Sequence, residues 1–203
     1  MSSYASIAAI YPCKIDKILF YLAKKISERL RMCNFCCTFA RSNVLRKMAK
    51  LNNEEIEARA QRAVELFKQG FNCSQAVFAS CADLYGITDE QLALRLSASF
   101  GGGMGRMRLV CGAASGMFML AGLHNGSATP HDNTGKMANY AFVQQLAGEF
   151  KARYGSLICA ELLGLAPRPE DPKPAERTPQ YYEKRPCPEM IAEAVRIYLK
   201  SLL

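Results

Sequence analysis

Nine cysteines are spread along this chain of 203 residues, and four of them are placed where a sulfur can do chemistry. Cys73, Cys111, Cys159 and Cys187 each fall at or near the start of a predicted helix. The N-terminus of a helix offers unsatisfied backbone N–H groups and the positive end of its macrodipole, and both favour a thiolate over a thiol. Such placement is expected to lower a cysteine pKa below its free value of about 8.5. A thiolate is both a metal ligand and a redox nucleophile. Four from four helices can therefore serve an iron–sulfur cluster, a tetrahedral zinc site, or a metal-free thiol–disulfide exchange. The spacings of 38, 48 and 28 residues contain no CxxC among the four. Buried cysteine often only fills space, and spacing alone leaves that account open for each of them. Cys81, in mid-helix with no special context, is assigned to the core.

Other chemistry finds less support. His124 and His131 are the two histidines, and neither lies near a cysteine in sequence, so both are expected in turns or at the surface. The cluster Gly101-Gly102-Gly103-Met104-Gly105 lacks the Lys-[Ser/Thr] of a P-loop and follows no strand, so it is not a phosphate cradle. Its glycines are expected to let backbone pass close to the sulfurs, with N–H groups free to bond them. Gly103, Gly105 and Gly112 are the candidate cofactor-binding residues, and Arg106 and Arg108 can offset the charge of a cluster. Cys33-Asn34-Phe35-Cys36-Cys37 does contain a CxxC, but without the second pair of a zinc ribbon or the βαβ context of a thioredoxin-like site.

The elements that must position these residues are helical. Asn52 with Glu55 forms a capping box ahead of a stripe of Ile56, Ala60, Ala63, Val64 and Phe67, and Gly70 ends that helix. A second helix is predicted from Cys73 to Tyr85. A third is capped by Thr88 with Gln91 and turns Leu92, Leu96 and Phe100 to one side. The fourth starts near Val110, and its small residues Gly112 to Gly116 imply close packing on another backbone or a bulky cofactor. A fifth spans about 132–154, a short sixth 156–163, and a last one begins at Pro188 with Ile191, Val195, Tyr198 and Leu202 on its apolar face. Residues 165–186 hold six prolines, a stiff loop long enough to wrap over a site. No strand or hairpin signal stands out. The expected fold is all-α, a compact single-domain bundle of six or seven helices over residues 48–203.

Charge separates residues 1–47 from the rest. That segment carries nine Lys and Arg against two acids, +7, whereas residues 48–203 carry 17 against 16, +1. The body therefore has no electrostatic footprint for nucleic acid. No apolar run approaches the 18 residues or so of a membrane span. The six-residue apolar stretch Ile18 to Ala23 is too short for a secretory signal. A cytoplasmic location follows as the expectation. Met48 opens a second plausible start, so residues 1–47 are either a basic accessory extension or an over-called reading frame.

The segment Gly101–Gly116 carries a resemblance. Cys111-Gly112-Ala113-Ala114-Ser115-Gly116 resembles the CGAxxG motif of the redox-active C_GCAxxG_C_C family. The segment Gly70-Phe71-Asn72-Cys73-Ser74-Gln75-Ala76-Val77 supplies the first family cysteine, and Cys159 and Cys187 complete the four. The resemblance spans about residues 54–203. It implies a redox role in which Cys73, Cys111, Cys159 and Cys187 hold an iron–sulfur cluster, with a two-iron cluster favoured because Cys₄ suits it. It also implies a redox partner, an oxidoreductase or a transporter-associated protein, and names no reaction. A thiol–disulfide relay without metal and a structural zinc domain are the alternatives, and a homodimer sharing ligands is compatible with the apolar helix faces.

Overall fold

The computed structural model describes residues 51–166, 168–183 and 185–203. The expectations for residues 1–47, including their CxxC, lie outside the described residues. Among the described residues there are eight α-helices where six or seven were expected, setting aside the tight turn Gly101–Met104, whose Gly102 and Gly103 are left-handed. No strand forms among them, and the β character is a single antiparallel bridge between Val110 and Ile158.

Helix α1 (Asn53–Lys68) begins where Asn52 accepts from the Glu55 N–H at 2.8 Å, and it buries Ile56, Ala60, Ala63, Leu66 and Phe67. Helix α2 (Cys73–Cys81) starts from a reciprocal capping box between Asn72 and Gln75. It tightens into a 3₁₀ turn, Ala82–Tyr85, that stops at left-handed Gly86.

Helix α3 (Glu90–Ser97) departs from expectation. Its cap is Asp89, which accepts from the Leu92 N–H, and not Thr88. The inward face is Ala93, Leu94 and Ser97, while Leu92 and Leu96 are 46% and 49% exposed. The face is offset by one residue from the expected one, which is about 100° around the helix axis.

Helix α4 (Gly112–Asn125) answers the question posed by its small residues. A Cβ on Gly116 would stand 2.9 Å from the Ser74 carbonyl oxygen and from Val77 Cβ, so the neighbour packed there is the backbone of α2. Helix α5 (Asn133–Tyr154) buries only Leu146 and Phe150 and leaves Met137 and Tyr140 exposed. Helices α6 (Cys159–Leu162) and α7 (Pro179–Glu183) are short, the latter lying inside the proline-rich loop. Helix α8 (Cys187–Lys200) is the hub and packs against α1, α2, α4 and α5. Ile191, Val195, Tyr198 and Leu199 on it are fully buried. Each contributes roughly 1.5–3 kcal/mol through removal of apolar surface from water.

Candidate functional site: a cavity lined by four cysteines

The four cysteines singled out by sequence all border one cavity of about 400 Å³. Cys73, Cys159 and Cys187 are the first residues of α2, α6 and α8, and Cys111 is the residue before α4. The bridge explains part of the convergence. The Cys111 N–H donates to the Leu157 carbonyl at 2.7 Å and the Cys159 N–H to the Leu109 carbonyl at 2.6 Å. Two helix starts that are 48 residues apart are thereby held side by side. Cys73 is brought in by the start of α2, which is tied to the end of α3 through Asn72 Nδ2 to the Ala98 carbonyl and Ser74 Oγ to the Ser97 carbonyl. Cys187 arrives on the hub helix. No disulfide joins the five described cysteines.

The glycine candidates divide. A Cβ on Gly103 would stand 2.7 Å from the Cys159 Cβ and 2.8 Å from the Leu109 nitrogen, and a Cβ on Gly112 would stand 3.1 Å from the Cys73 Cβ. Both make room for cysteines. Gly112 and Gly105 also border the cavity. Gly105 sits in a run of left-handed backbone, with positive φ at Gly102, Gly103, Met104, Gly105, Arg106 and Arg108. For Met104, Arg106 and Arg108 that conformation is strained, and strain of this kind gathers at functional sites.

The family described as "Putative redox-active protein (C_GCAxxG_C_C)" matches residues 71–201, more than half of the chain. The chain belongs to the C_GCAxxG_C_C family. An uncharacterised protein of Archaeoglobus fulgidus is 26% identical over 155 residues, covering 73% of this chain and 96% of that protein. No solved structure matches the chain.

In this C_GCAxxG_C_C protein the thiols do not share one electrostatic environment. Helix-start placement was expected to lower all four pKa values, and for three of them it does not. Burial pushes Cys111 up to about 12 even though the Ala113 and Ala114 N–H groups face its sulfur. Burial also raises Cys159, against the opposing pull of Arg108, whose Nη1 donates to the Cys159 Sγ at 3.6 Å. Desolvation of the charged form outweighs the helix terminus in both cases. Cys73 and Cys187 behave as a pair. The neighbouring Cys187 and burial together raise Cys73 well above its usual range. The contact with Cys73 is the largest influence lowering Cys187, to about 7, with Arg185, Arg177 and Arg108 adding to it. The two sulfurs therefore titrate as a unit, and the first proton leaves the pair more readily than it leaves a free thiol.

Sequence reasoning named the loop that covers this site but missed the side chains, Glu170, Arg177 and Arg185, that anchor it. Residues 169–177 pass over the cavity, where Pro172, Pro174 and Ala175 border it, as expected of a wrapping loop. Glu170 anchors the strap by pairing with both Arg106 and Arg108. Arg177 donates to the Phe67 and Phe71 carbonyls and lies over the Phe67 ring at 4.3 Å. Arg185 stacks on Tyr181 at 4.6 Å. The signal available was the row of arginines flanking the prolines just ahead of Cys187. The histidines stay away, with His124 beside Tyr85 and Phe142 and His131 in a turn at positive φ. Cys81 is fully buried in the core, as assigned. Among the described residues no group of three or more His, Cys, Asp or Glu is arranged to hold a metal ion, and no helix is long and apolar enough to cross a membrane.

Proposed function

We propose that this redox-family protein works by thiol–disulfide exchange, with Cys187 as the nucleophile and Cys73 as its partner. The observation that carries this reading is geometric: Cys73 and Cys187, the first residues of α2 and α8, border one cavity together with Arg177 and Arg185, whose charge favours a thiolate at Cys187. A thiolate of pKa near ambient pH is the most effective attacking sulfur. Oxidation joins the two sulfurs and passes two electrons to a disulfide-bearing substrate, whose S–S bond is broken and whose two sulfurs leave as thiols carrying the protons that the cysteines give up. Cys111 and Cys159, held protonated by burial, line the same cavity as a reserve of two further thiols. An oxidoreductase or transporter-associated partner resets the pair.

Limiting oxidant followed by peptide mapping tests this. The expected product is a Cys73–Cys187 cross-link before any other, and Cys187→Ser removes it. A first cross-link that omits Cys187 would sink the reading.

A second reading keeps a Cys₄ iron–sulfur cluster, with two irons the first choice: the four cysteines border one cavity, although among the described residues no three such side chains stand as a ready metal site. Cys73, Cys111, Cys159 and Cys187 would be its ligands, and Arg108 would lie against one of them. Bound there, a cluster supplies one-electron transfer. Anaerobic purification with metal analysis separates the readings: iron and sulfide favour the cluster, zinc without redox response favours a structural ion, and a metal-free protein with the cross-link above favours the thiol pair.

A further inference from the structure

The cavity has a charge and a shape that specify more than its sulfurs. Among the described residues four arginines border it, Arg106, Arg108, Arg177 and Arg185, and no Asp or Glu does. Glu170 is the carboxylate that reaches them, and it pairs with Arg106 and Arg108 together. Among the described residues Arg177 and Arg185 have no carboxylate at ion-pair distance, their contacts being backbone carbonyls and aromatic rings. Arg108 is only 3% exposed, yet its Nε has no hydrogen-bond partner among the described residues. That N–H is shielded from the cavity too, so what Arg108 offers an occupant is the charge of its guanidinium at the wall.

Much of the remaining wall is apolar, with Phe67, Leu162, Leu163, Pro172, Pro174 and Met190 on it, and Asn72 and Tyr181 add polar groups. About 400 Å³ is small-molecule size and far exceeds a lone inorganic anion. The occupant indicated is an organic anion with an apolar middle and negative ends.

We propose that the cavity takes a small disulfide bearing carboxylates as its oxidant. The inference rests on the thiol–disulfide reading and names its substrate class. The carboxylates meet Arg108, Arg177 and Arg185, and the S–S bond lies beside Cys187. The Cys187 thiolate attacks one sulfur, the S–S bond breaks, and one half leaves as a thiolate that takes up a proton. Cys73 then gives up its proton and attacks the Cys187 sulfur, expelling the second half. The sum is one disulfide and two protein thiols in, two small thiols and one Cys73–Cys187 disulfide out. Two electrons pass to the small molecule.

The test compares 3,3′-dithiodipropionate, neutral 2-hydroxyethyl disulfide and cationic cystamine on the full chain, each rate divided by that of a free small thiol. The dianion is expected to react at least ten-fold faster than the other two, and Arg185→Gln to reduce that preference below three-fold while the melting temperature shows the fold intact. Equal rates for all three probes overturn the inference and leave the thiol pair standing. Calorimetry with octanedioate, the carbon analogue of the dianion, covers the opposite failure. Binding of octanedioate but not 1,8-octanediol, with no probe reacting, upholds the anion cavity and rejects the exchange chemistry. No binding of either, together with no charge preference, rejects the substrate class.

Discussion

At Cys187 two influences oppose each other: the Cys73 thiol and three arginines work for a thiolate, while burial works against it. The first set prevails, and the consequence is measurable. In metal-free, reduced protein, alkylation of Cys187 by iodoacetamide is expected to rise with pH and reach half its maximum near pH 7. Cys111 is expected to stay unreactive until near pH 12. Residue-resolved mass spectrometry across pH 5 to 10 checks both, and a Cys187 midpoint at or above about 8.5 would contradict the assignment. That these four cysteines, and not Cys81, would be drawn together was legible in sequence, because the helix starts and the CGAxxG segment mark them. Their inequality was not, because burial and neighbouring charge depend on how distant segments meet.

The elements that hold the sulfurs rely on a few backbone positions. Gly103 has φ of 70° and no room for a side chain between Cys159 and the 108–109 backbone. Gly103→Ala is expected to cost at least ~2 kcal/mol in urea unfolding, through a close contact and a left-handed backbone together. Asn72→Ala removes the cap of α2 and the tie to Ala98, and about 1–2 kcal/mol is expected from the cap alone. Helices such as α1 and α2 could be read from sequence because cap, stripe and stop agree. At α3 two capping residues, Thr88 and Asp89, compete one position apart, and the choice of Thr88 went with an inner face that the fold turns outward. The strap over the cavity was recognisable as a stiff loop, but prolines carry no periodicity that tells which arginines face inward.

For the whole molecule, pH acts on stability through the buried thiols. Cys187 has a lowered pKa, so its contribution is fully present above the unfolded value near 9 and is lost as pH falls toward 7. Cys111 and Cys81, raised to about 12 and 11, act in the opposite sense, and their contribution is lost as pH rises above 9. Chemical denaturation is therefore expected to show greatest stability between about pH 8 and 9, and a monotonic rise beyond about pH 10 would contradict this. Helix α8, against which α1, α2, α4 and α5 pack, is also the last of the described helices in chain order. On the ribosome, Cys73, Cys111 and Cys159 emerge while the segment that fills the core and carries Cys187 is still to be made. During that interval the three early sulfurs have lost neither water nor freedom, and under the pairing proposed above Cys73 has as yet no partner. Under that pairing, a chain met by an oxidant before synthesis has passed the end of α8 is expected to form cross-links that the finished fold does not use.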